Sequence, residues 1–318
     1  MRLALALQKD LKGETLQADP FMPVSVFSVK FHVDRAIVFQ SFSGFAVRGI
    51  VYEAVRDIDP ETAENLHSSK KLAPFSTSPI LLDRRGDLRV AYRALPKGSA
   101  CRVRFVFFDG GLAKTFMDAL TGSGFKFKVI DTQVEPEEVK VSELSYSTFV
   151  KEAREVRKFS IEFLTPTYFR ISPLIASRLL PTAQKRSASK KLKSAYRFHP
   201  LPEPILLLRS AVRIWKTFSD RKFNYTAYLD WVTTMGVALA GFPRGIKTHR
   251  VYEHKTTDKW VVGFKGLVNY NLPEDTYKKR WATVTDALLK FAEYSNVGGG
   301  RTAGLGMMRY KPAQNGEE

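Results

Sequence analysis

The strongest constraint on the fold of this chain is a regular alternation of strand and helix patterns that begins early in the sequence. Residues 24–33 alternate as a strand does, residues 42–57 carry apolar side chains at helical spacing, and residues 102–108 form a second strand pattern. A helical pattern over residues 112–120 and a strand of period two over residues 125–132 follow. Because ferredoxin-like domains have this order of strands and helices, the pattern predicts one such domain here.

The second half of the chain begins the same kind of alternation again. A length of 318 residues is enough for about two domains of ordinary size. The segments are a strand over 159–164, a helix over 203–218, strands over 246–253 and 259–269, a long amphipathic helix over 275–294 and a final strand over 307–310. We therefore predict an α+β protein with domains at residues 1–150 and 151–318, joined through the polar segment 135–157.

The charge of the chain predicts a polyanionic partner. Lys and Arg number 50 against 32 Asp and Glu, which gives a net charge of +18. Residues 1–160 carry 24 basic and 20 acidic side chains, a net +4, whereas residues 161–318 carry 26 and 12, a net +14. The second half is therefore expected to supply most of the attraction for a phosphate backbone.

Composition also limits the cellular compartment and the cofactors that we expect for this protein. A single cysteine, Cys101, excludes an intramolecular disulfide framework and a zinc site made of cysteines, and it favours a reducing compartment. The N-terminus has too short an apolar run for a signal peptide, and no uncharged stretch reaches about 18 residues. The histidines show no metal-ligand spacing. We expect a cytoplasmic protein with no membrane-spanning helix, no metal and no cofactor.

One short segment concentrates basic residues without any acid. Ser and Ala are interleaved with them, and the whole run covers 13 residues. Such a run indicates contact with the phosphates of a nucleic acid, and the alternative is a mobile basic loop with no specific role. The basic residues of the run are Lys185, Arg186, Lys190, Lys191, Lys193 and Arg197.

A glycine-rich segment, VGGGRTAGLG, spans residues 297–306 between the last helix and the last strand. A dinucleotide site needs the order strand, glycine loop, helix, which is reversed here, and no Gly-Lys-Ser/Thr of a Walker loop follows. Glycines let a main chain approach a ligand closely, so the loop predicts a phosphate cradle without a nucleotide signature. The alternative is a helix cap followed by a close-packed strand. The residues concerned are Gly298, Gly299, Gly300, Arg301, Gly304 and Gly306.

The glycine loop and four further stretches resemble one family. The stretches are FSGFAVRGIVYEAV (42–55), LHSSKKLAPFSTSPI (66–80), RVRFVFFDGGLAKTFMDAL (102–120) and FLTPTYFR (163–170) with PEPILLLRSAVRIW (202–215). Together they resemble the CRISPR-associated endoribonucleases that cut precursor CRISPR RNA within its repeats, members of the repeat-associated mysterious protein (RAMP) superfamily. The resemblance implies tandem ferredoxin-like domains of the RNA-recognition type with antiparallel sheets, a basic cleft between them or across one face, and metal-independent RNA cleavage.

The resemblance also implies where a catalytic site would lie. Many members place a Tyr in the first helix, a His fifteen residues later after a Leu, and then a Lys. Tyr52 and His67 have this spacing and His67 follows Leu66. Position 73, where some members have the Lys, is Ala73, so Lys70 or Lys71 would serve instead.

The chemistry of RNA cleavage supports His67 as a catalytic residue, independently of the resemblance. Metal-free RNA cleavage needs a base for the 2′-hydroxyl proton, an acid for the departing 5′-oxygen and cations for the phosphorane charge. Asp59 and Pro60 form a cap and first-turn pair, so a short helix over residues 60–66 should place His67 at its C-terminal end. There the helix dipole favours the imidazolium form.

Two functions of different class follow from these observations. The first is an endoribonuclease that binds and cleaves precursor CRISPR RNA within its repeats and leaves 2′,3′-cyclic phosphate and 5′-hydroxyl ends. The second is a non-catalytic CRISPR RNA-binding subunit, which would also have the proteins of an interference complex as partners. The grouping of Tyr52, His67 and Lys70 or Lys71 favours the enzyme, because a pure binder has no reason to keep that spacing.

Overall fold

The structure is a computed structural model, and it describes residues 23–40, 42–69, 71–84, 87–122, 125–171, 197–254 and 259–313. The strands of the first half are β1 (Val24–His32), β2 (Ile37–Val38), β3 (Phe75–Thr77), β4 (Leu81–Arg84), β5 (Asp87–Val90), β6 (Ala94–Leu95), β7 (Ala100–Phe107), β8 (Phe127–Val129), β9 (Thr132–Val134) and β10 (Pro136–Leu144). The helices are α1 (Ser43–Ile58), α2 (Pro60–Ser68), α3 (Gly110–Thr121) and α4 (Tyr146–Lys151).

The main sheet of the first half is antiparallel, with strand order β10-β1-β7-β4-β5 and β3 also paired to β7. One face of this sheet packs on α1 and α3, because the inward side chains alternate with outward ones along β1 and β7. Phe27 meets Phe107 and Phe116 edge to face, with ring centroids 5.5 and 5.4 Å apart. β10, the last strand of the first half, lies at the edge of this sheet beside β1, the first strand. A ferredoxin-like domain has the same arrangement.

The second half continues with its own set of elements. The strands are β11 (Lys158–Thr167), β12 (Phe169–Ile171), β13 (Arg197–His199), β14 (Ala238–Gly241), β15 (Ile246–His254), β16 (Lys259–Asn271) and β17 (Met308–Pro312). The helices are α5 (Pro204–Phe218), α6 (Tyr225–Trp231) followed by a π-helical turn (Val232–Gly236), a 3₁₀ turn (Glu274–Thr276), α7 (Lys279–Ser295) and a second 3₁₀ turn (Arg301–Ala303).

The second sheet has the order β14-β16-β11-β17, and β15 also pairs with β16. All of these pairs are antiparallel. Helices α5 and α7 cover one face, where Trp215 and Phe291 meet edge to face at 5.3 Å. β11, the first strand of the second half, is central in this sheet and lies beside β17, the last strand. The ferredoxin-like order predicted from the sequence therefore occurs in both halves.

Two sequence predictions differ from the structure. The strand predicted over residues 125–132 to close the first sheet is wrong, because β8 and β9 form a separate hairpin whose turn includes Ile130 at a φ of 58°. The strand that closes this sheet is β10, which lies within the polar segment 135–157 that we predicted as a hinge. All side chains of β10 are exposed or half-buried, so charged residues are tolerated there and the strand lacks a buried apolar face.

The two halves share an interface as well as a chain. Val24, Val106 and Phe108 of the first half belong to the same apolar core as Trp215 and Phe291 of the second. Within the described residues, no helix is long and apolar enough to cross a membrane.

Candidate nucleic-acid interface

A cleft of about 470 Å³ opens where the segment after α2, helix α5, strand β12 and the glycine-rich loop (residues 297–306) meet. It combines segments that are far apart in the sequence, so neither half of the chain forms it alone. The lining residues are Ser69, Lys71, Leu72, Ala73, Phe169, Arg170, Leu206, Arg209, Ser210, Arg213, Gly298, Gly299, Gly300, Arg301 and Thr302.

The cleft is strongly basic. Lys71, Arg170, Arg209, Arg213 and Arg301 all line it, and none of the described lining residues is an Asp or Glu. Arg guanidinium groups match phosphate oxygens with two parallel N–H donors, so a cluster of this kind suits a phosphodiester backbone. Part of the excess positive charge of the chain is therefore gathered in one concave site.

Sequence reasoning missed three of these arginines. Arg209 and Arg213 lie four residues apart on α5, and residues at that spacing share a helix face. Arg170 comes from β12. The four-residue spacing of two arginines within a largely apolar helix was the signal that could have found the first two. No comparable signal marks the third.

Arg301 is the most buried cation of the cleft, with 5% of its surface exposed. Its Nη2 donates a hydrogen bond to the carbonyl oxygen of Ala73 at 2.8 Å, and its Nη1 donates one to that of Ser295 at 3.1 Å. Burial, with the charge of Arg213 beside it, lowers the pKa of Arg301 to about 10. The guanidinium thus joins the glycine-rich loop to the segment that follows α2, and its charge is held in place by carbonyl groups.

The glycine-rich loop packs closely against its own protein. Gly298, Gly299 and Gly300 line the cleft, whereas Gly304 and Gly306 do not. Gly304 has a φ of 70°, and a Cβ added there would lie 2.4 Å from the backbone nitrogen of Pro79. Close approach within the chain therefore requires this glycine, which is the close-packing alternative that the sequence left open.

Further hydrogen bonds fasten the loop to the first sheet. Thr77 Oγ1 donates to the carbonyl oxygen of Thr302 at 2.9 Å. Asn296 Nδ2 donates to the carbonyl oxygen of Thr77 at 2.8 Å. Gly44, at the start of α1, has no room for a side chain, because a Cβ would lie 2.0 Å from the carbonyl oxygen of Ala303. The cleft wall is therefore held rigidly across the two halves.

The proposed catalytic pair is brought together beside this cleft. Helix α2 begins after Asp59, whose carboxylate accepts a hydrogen bond from the Thr62 amide at 3.0 Å, and it ends just after His67. The exposed imidazole of His67 meets the half-buried ring of Tyr52 edge to face, with centroids 5.8 Å apart and planes at 87°. Phe75 also meets the ring of Tyr52 edge to face, with centroids 6.0 Å apart. The helix-end position predicted for His67 is confirmed.

The remaining predicted site residues lie in different places. Lys71 lines the cleft, and its amide donates to Ser69 Oγ at 3.0 Å, whereas Lys70 lies outside the described residues. Arg197 is exposed at the start of β13, opposite Ile171 of β12, so the end of the basic run adjoins a strand of the cleft. Five members of the run lie outside the described residues: Lys185, Arg186, Lys190, Lys191 and Lys193.

The described ranges contain no group of three or more His, Cys, Asp or Glu side chains placed to hold a metal ion.

Comparisons with known proteins place this site in a family context. Residues 161–308 match the sequence model of the CRISPR-associated endoribonuclease Cas6 family. No curated protein sequence matches the chain.

Solved structures match over nearly the whole chain. The product complex of the Thermus thermophilus Cas6 TTHB231 is 23% identical with a TM-score of 0.67, and the match covers 92% of this chain and 99% of that one. The product complex of a second Cas6, TTHA0078, is 19% identical with a TM-score of 0.63, and the match covers 91% and 100%. Fold similarity at this level confirms the tandem ferredoxin-like architecture. The resemblance of this chain to the CRISPR-associated endoribonucleases is thus confirmed, by the Cas6 family match in its second half and by the Cas6 fold of the whole.

Proposed function

We propose that the protein is a metal-independent endoribonuclease that binds precursor CRISPR RNA and cleaves it within its repeats, with residues 1–150 and 151–318 as its two domains. The observation that carries the proposal is the arginine-rich cleft. One of its walls is formed by Ser69 and residues 71–73, which follow the helix that pairs His67 with Tyr52. A phosphate backbone drawn into the cleft would lie next to a residue suited to proton transfer.

Binding follows from the cations of the cleft. Arg170, Arg209 and Arg213 come from the second half and would hold phosphate oxygens, while Lys71 comes from the first half and would reach the same strand from the other wall. Such contacts release counterions, so affinity should fall steeply with salt. Both matched Cas6 structures are product complexes, which supports an enzymatic role for a chain of the same fold.

Cleavage follows from the pair of side chains on α1 and α2. The 2′-oxygen attacks the adjacent phosphorus as its proton passes to solvent water, the bond from phosphorus to the 5′-oxygen breaks, and that oxygen receives a proton from His67 or from water. Tyr52 would orient the 2′-hydroxyl, and His67 would move a proton to the leaving oxygen or stabilise the charge. Lys71 or Lys70 would offset the negative charge that develops on the phosphorane. The products are a 2′,3′-cyclic phosphate and a 5′-hydroxyl.

The central experiment measures single-turnover cleavage of the cognate repeat RNA in EDTA. His67→Ala should lower the rate by about 100- to 10,000-fold, the usual range for loss of a general acid or base, and should leave RNA affinity nearly unchanged. His32→Ala is the matched control, because His32 is an exposed histidine on β1 that pairs with Glu137 away from the cleft. Undiminished cleavage by His67→Ala would refute the assignment of His67.

A more conservative change tests the hydroxyl of Tyr52. Tyr52→Phe keeps the ring contacts with His67 and Phe75 and removes only the phenolic oxygen. We expect cleavage to slow by at least about tenfold if the hydroxyl orients the nucleophile, with the melting temperature unchanged. Equal cleavage rates of the wild-type protein and Tyr52→Phe would mean that Tyr52 only supports the position of His67.

The alternative is a non-catalytic subunit that holds CRISPR RNA within an interference complex. The basic cleft alone would serve that function equally well. Tight binding of the cognate repeat without cutting by the wild-type protein, in EDTA or with divalent ions, would favour this alternative.

A further inference from the structure

Arg301 is a cation of the cleft whose hydrogen bonds are made within the protein. Its two terminal nitrogens donate to the carbonyl oxygens of Ala73 and Ser295, at 2.8 and 3.1 Å. The guanidinium carbon also lies 5.9 Å from the centroid of the Phe108 ring. Because the residue is almost completely buried, its guanidinium group serves contacts within the chain and leaves little surface for a ligand.

The carbonyl group of Ala73 belongs to the connecting segment, residues 71–74, which leads from the end of α2 into β3. The carbonyl oxygen of Pro74, the next residue, accepts a hydrogen bond from the amide of Phe108 at 2.8 Å. Arg301 from the second half of the chain and Phe108 from the first half therefore hold two consecutive carbonyl groups of this segment.

The connecting segment is coupled at both sides to the proposed catalytic pair. Helix α2 precedes it, with His67 in the last turn. Phe75 follows it, and the ring of Phe75 meets the ring of Tyr52, which in turn meets His67. Lys71 of the segment itself lines the cleft. A shift of the segment would therefore move these groups, and a displacement of about 1 Å at such groups can slow a reaction about 100-fold.

Strand β3 has its own contacts with the second half. Ser76 Oγ donates a hydrogen bond to the carbonyl oxygen of Tyr294 at 2.6 Å, and Thr77 Oγ1 donates one to that of Thr302 at 2.9 Å. β3 also pairs with β7. Loss of the Arg301 side chain should therefore leave β3 in place and displace chiefly the connecting segment before it.

We propose that Arg301 is a positioning residue for RNA cleavage, which holds the connecting segment at a fixed place relative to the arginines of α5 and β12. The inference rests on the proposed function, and it gives Arg301 a role that differs from the RNA contact predicted from the sequence. A phosphate-binding arginine contributes to affinity, whereas a positioning residue contributes to the rate at which bound RNA is cut. Measuring both quantities separates the two roles.

Arg301→Ala removes both hydrogen bonds and leaves a space where the guanidinium group lay. Single-turnover cleavage of the cognate repeat at saturating protein should slow by about 10- to 100-fold. The Kd should rise by no more than about threefold, because no phosphate contact is lost. Millimolar guanidinium chloride should raise the cleavage rate of Arg301→Ala by about tenfold, since the ion can donate to the same two carbonyl groups. Sodium chloride at the same ionic strength should not.

Arg301→Met tests the same role with a side chain that fills most of that space. Because a buried charge is costly, its removal should let Arg301→Met fold even if Arg301→Ala does not, and the split between rate and Kd then decides. We expect the same loss of cleavage rate, which guanidinium should not restore because the space is occupied. Arg309→Ala is the control, since Arg309 is an exposed arginine of β17 that pairs with Glu162. It should change neither the cleavage rate nor the response to guanidinium.

Several results would overturn the positioning role. A wild-type cleavage rate of both Arg301 variants at saturation would do so. If their Kd also rose by about tenfold or more and the salt slope fell by about 0.7, the value for one phosphate of a single strand, Arg301 would be a phosphate contact. A rate loss of Arg301→Ala that guanidinium does not restore would count against the role as well. A wild-type protein that does not cut the repeat would overturn the proposed function itself, so the two failures are distinguishable.

Discussion

The two walls of the cleft differ in charge, exposure and the reason for their rigidity. The wall after α2, formed by Ser69 and residues 71–73, carries one described cation, Lys71, and follows an exposed histidine at the end of a short helix. The opposite wall carries three arginines from α5 and β12. Between them, the glycine-rich loop is fixed by close backbone contacts and by the buried guanidinium of Arg301.

This difference indicates a division of work between the walls. Arginines on a long helix and a strand can hold a backbone by charge without any proton transfer. An exposed imidazole at a helix end can transfer a proton but contributes little to affinity. The loop joins the two, so a change in it should disturb both binding and cleavage, whereas a change in either wall should disturb one of them.

The largest change is expected in the stability of the protein, when a residue is altered where the glycine-rich loop meets the first sheet. Gly304→Ala should lower the free energy of unfolding by about 3 kcal/mol, because the new Cβ would meet Pro79 and the residue would keep a left-handed backbone. Thermal and urea unfolding measure the change. Gly49→Ala is the control, since a Cβ there meets nothing within 4 Å in helix α1 and should stabilise the helix by about 0.5–1 kcal/mol. Equal stability of the two variants would contradict the packing account of the loop.

A smaller change is expected in RNA affinity, when arginines of the wall formed by α5 and β12 are replaced. Replacing Arg209 and Arg213 together by Met should raise the Kd for repeat RNA by about 10- to 100-fold and reduce the salt slope by about 1.5, as two phosphate contacts are lost. The cleavage rate at saturating protein should stay within about threefold of wild type, because no proton-transfer group is touched. Arg244→Met, at an exposed turn, is the control. A cleavage rate that collapsed at saturation would show that the walls are not separable.

The smallest change in RNA affinity is expected from the basic run of residues 185–197. Its contact with RNA remains a prediction from the sequence. Lys190→Glu with Lys191→Glu should raise the Kd by a few-fold to about tenfold and flatten its salt dependence, while bound RNA is cut at the normal rate. Filter binding across a salt series, followed by single-turnover cleavage, measures both. An unaltered salt slope would assign the run to a basic loop without an RNA contact.

Much of the fold could be predicted because the helices are amphipathic and their ends are marked. The helix predicted over residues 203–218 is Pro204–Phe218, with proline at its first turn. The helix predicted over residues 42–57 is Ser43–Ile58. β10 was missed because it is an edge strand whose charged side chains lack an apolar period.

The candidate site was predictable only in part. Tyr52 and His67 lie near each other in sequence, and the break at Asp59 turns α2 back along α1, so a local pattern was sufficient to pair them. Arg170 and Arg209 share the cleft with Lys71 only after the two halves have packed together. No local pattern encodes that arrangement.

Local sequence patterns were sufficient to predict most of the helices and strands, the excess of positive charge and the position of His67 at a helix end. These properties depend on neighbouring residues and on composition. The tertiary structure decided which cations share one cleft, and it showed that glycines of the loop are needed for contact with their own protein. The reason is distance along the chain: Arg301 binds the carbonyl of Ala73 across 228 positions, a contact that only packing can create.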